Sequence, residues 1–296
     1  MLHSIMLSQG HATYCSRFVK TYKYKLEHQT GSPMTPNFFS GFYGLRDLGP
    51  GIVALGRAMM GQISLTQGMG TANTSVPRIG IINWYATFDS QMRWFNALHI
   101  INAWEDDQSR ITIVATNILN IDKVHFFHNL DKIHFSLEKL TIDMKTGEIT
   151  RTVLSERSLE FGSTNPSYAG KKNRYVYMAV DPQGPKMSGV VKIDLELGCE
   201  VAFRSYGDGC FGGEVMFVRR DTNNEVEWDE DEGFVVSYVH NERGNETRFV
   251  VMDAKSPTLD IVAAVKLPGR VPYGFNGIFL GEKELQMSCS HSKLVF

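Results

Sequence analysis

The chain has 296 residues and a formal net charge of −2. That length serves one large domain or two ordinary ones with a sizeable core. The charge leaves no basic excess to neutralise phosphates, which excludes nucleic acid as a partner. Four cysteines, Cys15, Cys199, Cys210 and Cys289, are widely spaced with no CxxC pair. They read as buried or free thiols of a reducing compartment, not as a disulfide frame or zinc site. No apolar run approaches the roughly 18 residues of a spanning helix.

The first stretch, MLHSIMLSQGHATYC, alternates like a strand from its second residue and carries neither a signal nor a transit peptide. A chain made as written is therefore expected in the cytoplasm, and a start in mid-strand suggests missing upstream residues. From His11 to Glu27 the period-two pattern predicts one long half-buried strand, with Ala12, Tyr14, Phe18, Tyr22, Tyr24 and Leu26 on one side. A Gly/Pro loop follows. GPGIVALGRAMMGQIS then predicts an amphipathic helix that begins at Pro50, with Ile52, Leu55, Met59 and Ile63 on one face. It carries one Arg and no acid. Such a helix either packs on its own domain or lies on a membrane surface.

Beyond residue 110 the sequence is a succession of short strands: ITIVATNIL, FSLEKLTIDMKTGEITRTVL, RYVYMAV, GVVKIDLELGCEVAFRSYG, GGEVMFVRR, GFVVSYVHNERGNETRFVVMDA and DIVAAVKL. KTGE and ERGNE are hairpin turns. Hairpins without crossover helices mean antiparallel sheets. Units of a few dozen residues predict an all-β fold, a β-propeller first and a sandwich second. The acidic run EVEWDEDE, 225–232, is expected to be a solvated loop; calcium binding is the weaker alternative.

Candidate chemistry is sparse. His125 and His128 have helical spacing with no third ligand nearby in sequence. His99, in ALHIINAWEDD, lies in an apolar strand and reads either as a satisfied core histidine or as a ligand. Asn276, in VPYGFNGIF, reads as a turn residue or as a site residue. No GxSxG, GxGxxG, P-loop or HExxH occurs.

RWF…LHIINAWEDD, together with NPSYAGKKNRYVYMAV, YGDGCFGGEVMFVRR, DEGFVVSYVHNE and VVMDAKSPTLDIVAAVKLPGRVPYGF in that order, resembles the plant carotenoid cleavage dioxygenases. SPMTPNFFSGF, NILNI and DAKSPTLDIVAAV are similar to the fourth plant subfamily, associated with plastoglobules. The resemblance covers nearly the whole chain as a single domain, 1–296. It implies a seven-bladed propeller with a helical dome, an apolar tunnel, and an iron(II) on the axis held by four imidazoles. It further implies cleavage of a carotenoid or apocarotenoid double bond by O2, typically at the 9,10 or 9′,10′ position. The setting it implies is a plastid, on a plastoglobule or thylakoid surface.

Carried over residue by residue, His99 matches the third iron ligand. Glu160 and Glu214 match carboxylates that accept the other ring N–H of a ligand and fix its tautomer. Asn276 stands where the family places its fourth histidine, and an amide is a poor substitute for an imidazole. The A-H-P-K and M-H-D-F motifs of the first two ligands are absent. They would fall where Ser75 joins Val76, which predicts an internal deletion at that junction; a smaller gap follows Phe95. Two readings result: an iron-dependent dioxygenase by descent, or a catalytically dead propeller fragment that binds apolar pigment, a lipid surface or a sister subunit.

Overall fold

The computed structural model describes residues 2–17, 28–31, 97–119, 134–181, 186–220, 229–274 and 277–282, with Lys25 and Phe95 as isolated positions. The chain divides into two compact units, residues 1–77 with 124–129 and residues 78–123 with 130–296.

In the first unit, β1 (Leu2–Ser8) and β2 (His11–Arg17) form an antiparallel hairpin around the two-residue Gln9–Gly10 turn. Two-residue loops of this kind match the twist of the paired strands. His3 Nδ1 meets the Tyr14 hydroxyl at 2.6 Å. The long strand expected from His11 to Glu27 is corrected here, because Lys25 and His28–Thr30 are helical. Phe18, Tyr22 and Leu26 recur every four residues as well as sharing the alternating face, so both periods fit the same letters. The helix expected around Ile52, Leu55, Met59 and Ile63 lies outside the described residues.

The second unit carries three antiparallel sheets. The first runs β3 (Ala97–Glu105), β4 (Arg110–Leu119), β5 (His134–Asp143), β6 (Ile149–Val153), each strand paired with the next. The second runs β7 (Leu159–Ser163), β8 (Tyr175–Val180), β9 (Gly189–Asp194), β10 (Cys199–Ser205) in the same way. In the third, β11 (Cys210–Gly212) and β12 (Met216–Arg219) pair in turn with β13 (Gly233–Asn241), followed by β14 (Glu246–Asp253) and β15 (Ile261–Lys266). Successive meanders of this size are propeller blades. Two outer turns use one device at one spacing. Asp143 Oδ1 accepts the N–H groups of Lys145 and Thr146 ahead of Gly147. Asp194 Oδ1 likewise accepts those of Glu196 and Leu197 ahead of Gly198.

Strand β8 joins the sheets. Its alternate residues Val176 and Met178 enter the core shared with the first sheet, beside Val114, Leu137 and Leu159. Tyr177 and Ala179 enter the core shared with the third, where the Tyr177 and Phe217 rings stack at 5.4 Å. The period of two thus supplies two faces of one strand to two cores. At the first end of each meander, β7 packs against both β3 and β12. The three leading strands of successive sheets are therefore neighbours, as they are around a propeller axis.

The acidic run departs from expectation in its described part, residues 229–232. Asp231 is nearly buried and pairs with Lys192 at 2.6 Å. Both Glu230 oxygens accept N–H groups at the start of β8, from Arg174 and Tyr175. A buried lysine on β9 needs an anion, and the unpaired N–H groups need acceptors. Glu230 and Asp231 are thus a clasp between the second and third sheets and not part of a solvated loop.

Candidate metal centre

The site residues sit on the leading strands β3 and β7 and just ahead of β12. Each of the first two strands is distorted at the critical point. Along β3 the register passes from Ala97↔Asn117 to Ile100↔Ala115, so Leu98 and His99 together face Thr116. Along β7 it passes from Glu160↔Ala179 to Ser163↔Tyr177, so Phe161 and Gly162 together face Met178. Such bulges re-aim side chains and leave a backbone group unpaired. Phe161 takes a left-handed conformation, φ 48°. A Cβ on Gly162 would lie 2.2 Å from the Met178 sulfur, so any larger residue there must displace that side chain.

The two bulges bring His99 and Glu160 together. His99 Nδ1 donates to Glu160 Oε2 at 2.6 Å, and Glu160 is 1% exposed. The same oxygen accepts the Phe161 N–H at 2.7 Å. The Thr116 hydroxyl donates to Glu160 Oε1 and accepts the His99 N–H at 3.2 Å. The Phe161 ring lies 5.6 Å from the imidazole, tilted by 48°. Glu160 is thus an acceptor in three bonds, which places the His99 proton on Nδ1 and leaves Nε2 as the available donor atom. The hydrogen bond to Glu160 raises the His99 pKa. Burial opposes the rise, and the charges of Glu160 and Glu214 add to it.

Glu214 is the third member. Its N–H donates to the Gly274 carbonyl at 3.0 Å, and its Oε2 accepts the Gly277 N–H at 2.5 Å. The approach depends on glycine, since a Cβ on Gly213 would sit 2.2 Å from the Gly274 nitrogen. Burial raises the Glu214 pKa, against the Gly277 N–H and the His99 charge. Asn276 lies outside the described residues, between the two glycines that bond to Glu214.

Of the remaining histidines, His240 is a core residue, 3% exposed, bonded through Nδ1 to Thr247. His125 and His128 lie outside the described residues. Among the described residues no three His, Cys, Asp or Glu side chains converge as a metal requires. Both Glu160 oxygens are taken by donors, and one Glu214 oxygen is taken by Gly277. Among the described residues the donor set is one imidazole nitrogen and one carboxylate oxygen. A mononuclear centre built on four imidazoles does not fit it. Of the residues the sequence singled out, the structure pairs His99 with Glu160, while Glu214 bonds to Gly274 and Gly277. The sequence missed Thr116 and Phe161, because a bulge depends on the partner strand's spacing and leaves no mark in either strand alone.

Three comparisons bear on this site. The profile of the retinal pigment epithelial membrane protein (RPE65) family matches residues 76–281. A probable carotenoid cleavage dioxygenase 4, chloroplastic, of Arabidopsis thaliana is 34% identical over 431 positions, covering 96% of this chain and 72% of that protein. That alignment is far longer than the 296 residues of the chain, so a large block of the relative has no counterpart here. A zeaxanthin 7,8(7′,8′)-cleavage dioxygenase, chromoplastic, of Crocus sativus is 46% identical over 220 residues, covering 71% of this chain and 59% of that one. Among solved structures, cobalt-substituted Synechocystis apocarotenoid oxygenase matches at 26% identity and a TM-score of 0.52, over 60% of this chain and 38% of that one.

Proposed function

We propose, from the premise that this chain belongs to the carotenoid oxygenase family of RPE65 and the plant carotenoid cleavage dioxygenases, that it is a propeller scaffold which binds a carotenoid or apocarotenoid without cleaving it. The reaction of its lineage is oxidative cleavage of a polyene double bond, of the 9,10 or 9′,10′ type, by iron(II) and O2. When bound, the iron would activate oxygen at an open coordination position. The observation that carries the reading is the donor set around His99. One Nε2 and one carboxylate oxygen are what the described strands offer. The residue at the fourth ligand position is Asn276, and the first two ligand motifs are missing from the sequence at Ser75–Val76.

What the chain's own residues do is positional. Glu160 holds the His99 ring with the proton on Nδ1. Phe161 lies beside that ring, and Glu214 ties down the backbone at Gly274 and Gly277. The chloroplastic relatives support a plastid setting, and an apolar ligand supports work at a plastoglobule or thylakoid surface. The length of the alignment with the Arabidopsis relative supports an internal deletion at 75/76 within one propeller-type domain.

Elemental analysis and pigment binding test the reading together. The purified chain should hold far less than one iron per molecule, because ligand number and geometry set affinity. It should quench its tryptophan fluorescence with an added apocarotenoid and return that polyene intact. Asn276→His alone should restore neither iron nor cleavage, and an insertion at Ser75–Val76 carrying both missing histidines should be needed as well. Near-stoichiometric iron in the unmodified chain, with loss of the polyene absorbance, overturns the proposal.

A further inference from the structure

We infer that Thr116 is the positioning residue of this site: its hydroxyl, and not a metal, selects the His99 tautomer and aims Nε2. Thr116 lies on β4 and is fully buried, at 0% exposure. A hydroxyl can donate once and accept as well, and this one does both on the two parts of a single corner. It donates to Glu160 Oε1 and accepts the N–H that the β3 bulge leaves without a strand partner, that of His99, at 3.2 Å. Its contact with the His99 carbonyl, at 3.4 Å, is the longer alternative for the same proton.

The consequence follows from counting acceptors. Glu160 Oε2 is filled by His99 Nδ1–H and by the Phe161 N–H. Oε1 is turned away from the imidazole, and Thr116 is the donor that satisfies it. Without that donor a buried carboxylate oxygen is left unpaired, at a cost that favours rotation of the carboxylate. The same substitution frees the His99 backbone N–H, so the bulge that aims the ring loses its tie. Both losses act on one quantity, the direction in which the imidazole lone pair points. Phe161, in its left-handed conformation, cannot take over, because its N–H already serves Oε2. The geometry therefore holds His99 ready for a ligand on Nε2 whether or not one arrives.

This inference rests on the reading of His99 as the residue at a ligand position, but it is tested on a different observable. The full chain, labelled with 15N at histidine, is measured by magic-angle-spinning NMR at a pH well above neutrality, where the ring is uncharged. His99 is assigned by the signal that disappears in His99→Gln. The native chain should show His99 as one tautomer, protonated at Nδ1. Thr116→Val, which keeps the shape and removes the hydroxyl, should turn that single signal into a mixture of the two tautomers. Thr116→Ser should restore the native signal. A purely structural role would move the melting temperature of both variants and leave the tautomer alone. An Nδ1-protonated, unmixed His99 in Thr116→Val overturns the inference. So does an Nε2-protonated His99 in the native chain, a result that needs no variant to fold. Iron content reports on the proposed function and leaves this result untouched.

Discussion

Replacing Asp231 by alanine should destabilise the second unit by about 2–4 kcal/mol. Lys192 and Asp231 meet at 2.6 Å with side chains 6% and 12% exposed. Removing one partner of a buried pair costs about 3–5 kcal/mol, since the other charge stays behind without compensation. Here the ammonium keeps the Ala254 carbonyl at 3.0 Å and the face of Tyr175 at 4.1 Å. A cation over an aromatic ring recovers about 1 kcal/mol even at an exposed site, which sets the lower figure. Lys192→Met should cost less, about 1–3 kcal/mol, because the carboxylate it strands is the more exposed member. The double variant should fall well short of the sum, with a coupling of about 2 kcal/mol. Urea unfolding followed by far-ultraviolet circular dichroism, at one protein concentration, gives all four corners of the cycle. If Asp231→Ala lies within about 0.5 kcal/mol of the native chain, the clasp is a surface feature and the argument fails.

The remaining predictions concern association, lipid and acid. Exposed Ile278, Phe279 and Leu280 and unpaired strand edges should make the chain oligomeric or poorly soluble; a sharp monomer peak in size-exclusion chromatography with cooperative melting contradicts this. The greasy helix expected around Ile52 to Ile63 should dock on lipid, so Leu55→Glu with Met59→Glu should release the chain from liposomes in a flotation assay; unchanged flotation returns that helix to the core. Burial would raise the Asp194 pKa, yet the Leu197 N–H, the Arg174 guanidinium and the Glu196 N–H together hold it below the usual carboxylate range. A depressed folded pKa means stability that is present above the unfolded value, near 3.9, and lost as pH falls through the folded one. Asp194→Asn should therefore flatten the acid limb of a melting-temperature profile below about pH 4, and an unaltered limb refutes it.

Legibility divides along physical lines. The strands of the second unit stand in the letters, because a half-buried strand must alternate and a short turn must carry Asp, Asn or Gly. Arg110–Leu119, His134–Asp143 and Glu246–Asp253 lie within a residue or two of where their patterns put them. The strand expected over His11–Glu27 fails at Lys25, which is helical, and the letters allow it because Phe18, Tyr22 and Leu26 satisfy two periods at once. The acidic run was misread because a charge cluster looks solvated until its counter-ion is known. Lys192 lies 39 residues from Asp231, and nothing local in VVKID says that this lysine is buried. His99 had the same ambiguity. By pattern it was a core histidine or a ligand. Its partner Glu160 is 61 residues away in sequence; the family resemblance singled out both residues where periodicity could not, and the structure supplies their pairing.

The surviving corner and the missing ligands differ in how they are built. His99, Glu160, Thr116 and Phe161 belong to two adjacent sheets whose four strands are each complete. Their geometry is held by two bulges, a left-handed residue and a three-donor carboxylate. A strained backbone conformation of this kind costs about 1–3 kcal/mol and persists where the surroundings over-determine it. Here the surroundings are the shared core of Val114, Leu137, Leu159 and Met178, which the metal does not help to form. A centre whose ligands come from separate strands has no such local support. Loss of a block of strands removes the ligands those strands carry and leaves the other corners standing. The fourth position is a separate case. Gly274 and Gly277, on either side of Asn276 in the sequence, both bond to Glu214, the carboxylate that the proposed reading assigns to a histidine at position 276. On the proposed reading a single substitution supplies that imidazole, whereas the first two call for an inserted segment. That asymmetry is why Asn276→His and the insertion at Ser75–Val76 must be made together before iron binding can report on the site.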